Sequence, residues 1–171
     1  MMTESAALPI LIPARTQASR LPGKPLADIA GKPMIVHVWE RAMAANIGPV
    51  IVATDAEDIA ATIRAEGGTA VMTDPDLPSG SDRIYEALCH IDPDGQYGSV
   101  INLQGDLPEI DISLLRMLAD MLSQPTWDLV TLSAECSTDE AQLSQIVKAV
   151  IAWQDEQSLG FPVGNALYFS R

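Results

Sequence analysis

The stretch that decides the fold runs from Leu8 to Asn46, LPILIPARTQASRLPGKPLADIAGKPMIVHVWERAMAAN. Its first part, Leu8 to Ile12, is a short apolar run that stops at Pro13, the pattern of a strand buried on both faces. Its last part, Met34 to Asn46, has a different period: Ile35, Val38, Trp39, Ala42 and Ala45 fall on one face of a helix. Pro33 suits the first helical position, and Gly48 and Pro49 stop the helix. Between the two, Ala14 to Pro33 is broken by Pro22, Gly23, Pro25, Gly31 and Pro33. A strand-to-helix connection of that length reads as a functional loop.

Outward from this stretch the alternation repeats. Val50 to Ala53 reads as a strand, and Ala56 to Glu66 as a helix capped by Thr54 or Asp55 and ended at Gly67-Gly68. Ala70 to Met72 is a third strand. The polar loop Thr73 to Ser81 then leads into a helix over Asp82 to Ile91, capped by Ser79 or Ser81. Val100 to Leu103 is a strand that runs straight into Gln104-Gly105-Asp106. Ile112 to Leu122 reads as a helix and Leu129 to Leu132 as a strand. This predicts an α/β fold: a Rossmann-like three-layer sandwich with a mostly parallel sheet and helices on both faces. The end differs, because Ser144 to Trp153 and Ala166 to Ser170 read as two paired strands. The expected division is therefore residues 1–143, an α/β domain, and residues 144–171, a strand-rich segment.

The chain has 171 residues, 10 Lys+Arg against 23 Asp+Glu, and a formal charge of -13, which argues against a nucleic-acid partner or an anionic membrane surface. No apolar run reaches the length of a membrane span, and the first residues carry no basic group of a signal peptide, so the expected location is the cytoplasm. The charge is unevenly placed. Residues 1 to 41 hold Arg15, Arg20, Lys24, Lys32 and Arg41 against Glu4, Asp28 and Glu40, a local balance of +2 in a chain whose remainder carries -15. The scarce cations gather in the Pro/Gly-rich loop, which is where an anionic ligand is expected.

In an open α/β sheet the ligand lies beyond the carboxyl ends of the strands. Three polar segments meet that condition: Pro13 to Pro33 with Arg15, Arg20 and Lys24; Thr73 to Ser81 and the following helix start with Arg83; and Gln104 to Pro108 with Asp106. Arg offers a planar fork and Lys a compact charge to phosphate oxygens. Asp106 suits Mg²⁺, which takes one or two carboxylates and completes its shell with substrate phosphates. Arg83 sits in a first helical turn, where a cation opposes the helix dipole and hints at a nearby anion. Asp55 reads as a helix cap, His37 and His90 as structural or surface residues, and Cys89 and Cys136 as small buried hydrophobes. No GxxxxGK[ST], GxGxxG or GxSxG occurs, so the phosphate device must be the basic loop itself.

Ile12-Pro13-Ala14-Arg15, Ser19-Arg20-Leu21-Pro22-Gly23-Lys24-Pro25-Leu26 and Gly31-Lys32-Pro33-Met34-Ile35 resemble the start of the 3-deoxy-manno-octulosonate (Kdo) cytidylyltransferases. Val52-Ala53-Thr54-Asp55, Ser79-Gly80-Ser81-Asp82-Arg83, Gln104-Gly105-Asp106 with Pro108, and the terminal Ala166 to Arg171 resemble later blocks of that family, in order. The CMP-sialate cytidylyltransferases share the basic-loop pattern and stand as the alternative, beside a non-catalytic nucleotide-binding protein. The resemblance implies a nucleotide-diphospho-sugar transferase type of fold. It also implies transfer of CMP from CTP to Kdo with release of pyrophosphate, for lipopolysaccharide synthesis, by a Mg²⁺-dependent homodimer. On matching positions it implies Arg15, Ser19, Arg20 and Lys24 in the CTP loop, Ser79 and Arg83 near the cytidine, Gln104 on the nucleotide or sugar side, and Asp106 on the metal. Arg15, Lys24 and Asp106 are the expected catalytic residues. Leu107 stands where the family usually has Glu. Family members also continue past the Tyr-Phe-Ser-Arg block into the sugar-binding and dimerisation part, so this chain is expected to bind nucleotide and to turn over poorly or not at all.

Overall fold

The computed structural model describes residues 8–16, 23–154 and 161–170. It divides into two compact units, Met1–Val130 and Thr131–Arg171. Position 143/144, the boundary expected between domains, falls inside the second unit.

In the first unit, β1 (Ile10–Ala14) pairs in parallel with β4 (Val50–Thr54) on one side and β6 (Ile101–Asn102) on the other, and β5 (Thr69–Met72) extends the sheet beyond β4. The order is β5-β4-β1-β6. β1 is central, and Ile10, Leu11 and Ile12 have no solvent exposure, which is why they form a continuous apolar run. Pro13 lies inside β1, not after it. The Leu103 amide donates to the Leu11 carbonyl as the last described ladder bond toward β6, so the sheet ends on that side before a donor is needed at Pro13.

α1 (Met34–Ala45), α2 (Glu57–Ala65) and α4 (Ile112–Leu122) cover one face, through Ile35, Val38, Ala42, Ile59, Ile63 and Leu115. α3 (Gly80–Ile91) covers the other, packing Ile84 and Ala87 on Leu11, Ile51 and Ala53. The expected α/β sandwich with a parallel sheet and helices on both faces is therefore what forms. Pro33 is the residue before α1 rather than its first, and Asn46 ends the helix in the left-handed region at φ 52°.

The described second half of the long connection, residues 23–33, carries regular structure. Lys24–Leu26 form a 3-10 turn, and β2 (Asp28–Ile29) and β3 (Lys32–Pro33) make a small antiparallel hairpin around Ala30 and Gly31. Both turn residues have positive φ, as a tight hairpin turn requires. The strand expected over Leu129 to Leu132 does not form. That run crosses the boundary between units, Leu129 is 76% exposed, and no described strand pairs with it. Apolar character without a ladder partner does not make a strand.

The second unit holds a short helix, α5 (Thr138–Ala141), and the antiparallel pair β7 (Lys148–Trp153) and β8 (Gly164–Ser170), with a register shift between Val150 and Ile151. These are the two terminal strands expected. Cys89 and Cys136 are both exposed, contrary to expectation. Cys89 is on the outward side of α3, away from Arg83, Ile84 and Ala87, and Cys136 lies in the extended segment before α5. No helix among the described residues is long and apolar enough to cross a membrane.

Candidate functional site

Because β1, β4, β5 and β6 run parallel, the loops that follow them emerge at one end of the sheet. Pro13 is where three of them meet. A Cβ placed on Gly105 would sit 2.7 Å from the Pro13 carbonyl oxygen, and one on Gly80 would sit 3.3 Å from Pro13 Cγ. Glycine at position 105 thus lets the loop after β6 cross directly over the end of β1, and only a side chain that small fits. The three segments singled out by their polarity therefore converge.

The crossing delivers Asp106 to Lys24. Lys24 Nζ stands 2.7 Å from Asp106 Oδ2, an ion pair between residues far apart in sequence. Gly23, at φ 69°, turns the chain into the 3-10 segment that starts at Lys24, and its amide donates to the Thr16 carbonyl at 3.4 Å. The side chains of Lys24 and Asp106 are 37% and 51% exposed, so each can exchange its partner for a ligand. Arg15 is exposed at the end of β1, with no described residue paired to it. Gln104 donates from Nε2 to Asn102 Oδ1 at 2.9 Å, a contact on the same exposed surface. Ser19 and Arg20 lie outside the described residues.

Ser79 caps α3: its hydroxyl accepts from the Asp82 amide at 3.2 Å and donates to Asp82 Oδ2 at 2.5 Å. Arg83 is buried. Its side chain is 2% exposed, and its guanidinium is occupied by protein. Nη1 donates to Thr73 Oγ1 at 2.5 Å and to the Asp74 carbonyl at 3.3 Å, and Nη2 donates to Asp55 Oδ2 at 3.3 Å. The anion hinted at by the position of Arg83 is Asp55. Asp55 is not the cap of α2; it is 5% exposed, and its Oδ1 accepts from the Thr16 amide at 3.3 Å. Thr54 Oγ1 accepts from the Ala56 amide near the start of α2 instead.

Among the described residues no group of three or more His, Cys, Asp and Glu side chains is gathered as a metal cage. The donor set still fits Mg²⁺ of the kind that uses one carboxylate and takes its other ligands from phosphate and water. Asp106 is a half-exposed carboxylate beside a partly exposed cation, and Leu107 adds no donor. A separate cavity of about 740 Å³ lies at the opposite end of the sheet, lined by Leu8, Ile47, Ser99, Arg116 and others. Arg116 there already donates to the Ala44 and Ala45 carbonyls at the end of α1, and among the described residues no second cation lines the cavity. The charges converge at the other end.

Residues 9–171 match the family model described as cytidylyltransferase. The chain is 49% identical over 163 residues to a 3-deoxy-manno-octulosonate cytidylyltransferase of Paramagnetospirillum magneticum, covering 95% of this chain and 65% of that protein. It is 51% identical over 177 residues to one of Rhodospirillum rubrum, covering 99% and 69%. A solved structure of CMP:2-keto-3-deoxy-manno-octonic acid synthetase complexed with CTP superposes with a TM-score of 0.79 at 40% identity, covering 95% of this chain and 64% of that one. The 171 residues thus span about two thirds of the length of the relatives they match.

Proposed function

This chain belongs to the cytidylyltransferase family, and from that premise we propose that its first unit binds CTP with Mg²⁺ and supports transfer of CMP to Kdo. The observation that carries this reading is the Lys24–Asp106 pair, an accessible cation and carboxylate held 2.7 Å apart where the loops after β1 and β6 cross. Phosphate draws Lys24 off Asp106 and takes its charge, and the freed carboxylate becomes available to a cation. Arg15 adds a planar fork from the end of β1. Arg20 and Ser19 belong to the same loop. By the family resemblance, Ser79 serves the cytidine side and Gln104 the nucleotide or sugar side. Mg²⁺ bound by Asp106 and phosphate would supply charge neutralisation on the phosphates.

The reaction is an in-line displacement at the α-phosphorus: the anomeric hydroxyl of Kdo gives up its proton to solvent and bonds to the α-phosphorus, the bond from that phosphorus to the bridging oxygen breaks, and pyrophosphate leaves. It needs alignment and neutralised charge, with no covalent nucleophile in the protein. Arg15 and Lys24 serve as the charge-neutralising groups. A homodimer and a cytoplasmic location accompany this reading as features of the family resemblance.

The test is thermal unfolding with CTP or UTP, with and without Mg²⁺. CTP with Mg²⁺ should raise the unfolding temperature more than UTP, since a ligand at a hundredfold its Kd stabilises by about 2.7 kcal/mol. Asp106→Ala should remove the Mg²⁺ dependence. A flat response to every nucleotide overturns the reading.

A further inference from the structure

We infer that the buried Asp55–Arg83 ion pair is a positioning device that holds the loop after β1 in register with the loops after β4 and β5. This rests on the nucleotide-site reading above for its functional consequence, though not for its structural one. The argument starts from cost. Removing two charges from water is expensive, and a well-packed apolar pair of similar volume is often as stable or more so. Stability therefore does not by itself account for an ion pair at 2% and 5% exposure. What the pair does that apolar side chains cannot is join four segments, α3 and the loops after β1, β4 and β5, by directional bonds.

Arg83 comes from the first turn of α3. Its Nη1 reaches Thr73 Oγ1 and the Asp74 carbonyl, in the loop after β5, and its Nη2 reaches Asp55, after β4. The other oxygen of Asp55 accepts from the Thr16 amide, after β1. Thr16 in turn accepts from the Gly23 amide through its carbonyl, and Gly23 leads directly to Lys24. A continuous run of contacts thus joins the buried pair to the exposed Lys24–Asp106 pair. Arg83 and Asp55 act through Thr16 and the loop, and Arg83 is a positioning residue rather than a nucleotide contact.

The experiment compares wild type, Asp55→Leu/Arg83→Met and Arg83→Lys. Three readouts are taken: urea unfolding, exchange of the Thr16 amide by NMR without nucleotide, and CTP–Mg²⁺ affinity by calorimetry. The double variant should stay folded, lose protection at Thr16, and bind CTP about tenfold or more weakly, the scale on which small displacements of supporting groups act. Retained Thr16 protection with wild-type affinity would make the pair merely structural. Retained protection with lost affinity would mean direct contact with nucleotide; either result overturns the inference. If the double variant does not fold, Arg83→Lys keeps the charge but loses the fork. It should loosen Thr16 and weaken CTP binding at near wild-type stability, and unchanged protection in it overturns the inference. If wild type binds no CTP, the nucleotide reading fails, while Thr16 exchange still decides the positioning role.

Discussion

In the unit Met1–Val130, Ile10, Leu11, Ile12 and Val52 have no exposure at all; in Thr131–Arg171 no described residue is buried, and Leu167 and Tyr168 are 66% and 65% exposed. Both units contain hydrogen-bonded strands. β7 and β8 pair along most of their length, as β1 and β4 do. The difference shows that a ladder sets geometry, while burial of side chains between layers sets stability. Each buried aliphatic side chain in the first unit contributes about 1.5–3 kcal/mol, and an isolated two-stranded hairpin in water is marginal at best. Chemistry follows the same division. The packed parallel sheet, whose strand-following loops leave at one end, holds Lys24 against Asp106 and Asp55 against Arg83.

The sharpest test of this contrast is a matched pair of truncations. Ile12→Ala should destabilise urea unfolding by about 2–5 kcal/mol, because it leaves a cavity in the central strand. Leu167→Ala on β8 should change it by less than about 0.5 kcal/mol, as surface substitutions do. Equal losses would show that the apolar face of β8 is covered in solution and would break the contrast.

A second pair tests close approach. A Cβ at Gly105 and a Cβ at Gly164 would each come 2.7 Å from a carbonyl oxygen, that of Pro13 and that of Ala152 respectively. Gly105→Ala should cost about 1–3 kcal/mol, since the packed first unit cannot yield. Its loop should also shift, lowering affinity for CTP with Mg²⁺ in calorimetry. Gly164→Ala should cost less, because β8 is exposed and can move off β7.

The smallest effect is a pH dependence that the two units share. Hydrogen bonds from the Ser113 amide and hydroxyl hold the Asp111 carboxyl below its ordinary value at the start of α4. Those of Ser137 do the same for Glu140 in the capping box of α5. A carboxyl whose pKa is lower folded than unfolded adds stability above its unfolded pKa. That stability is lost as pH falls through the folded one. Asp111→Asn and Glu140→Gln should each lower stability slightly at neutral pH and flatten the acid limb of the stability–pH curve, converging with wild type at low pH, where the wild-type carboxyls are protonated. An unchanged acid limb in both would remove these caps from the account.

Much of the first unit was legible because its signals are local. The 3.6-residue period from Met34, the terminator near Gly48 and the Ser79 cap act within a few residues of themselves. Leu129 to Leu132 was misread because a strand is defined by a partner, and hydropathy does not report one. Cys89 and Cys136 were misread because burial depends on which side of an element a residue faces. Asp55 was misread because a helix cap and a buried ion pair place the same residue after the same strand. The block Val52 to Asp55, and the cation in the first turn of α3, were the two signals that could have joined it to Arg83.

The sequence by itself determined the alternation of strand and helix, the clustering of scarce cations in one loop and the family to which those blocks point. These depend on period, composition and short-range order along the chain. The tertiary structure alone decided which charges face solvent and which face each other. Lys24 meets Asp106, and Arg83 meets Asp55, because parallel pairing brings distant loops to one end of the sheet and the close crossing at Gly105 sets their distance.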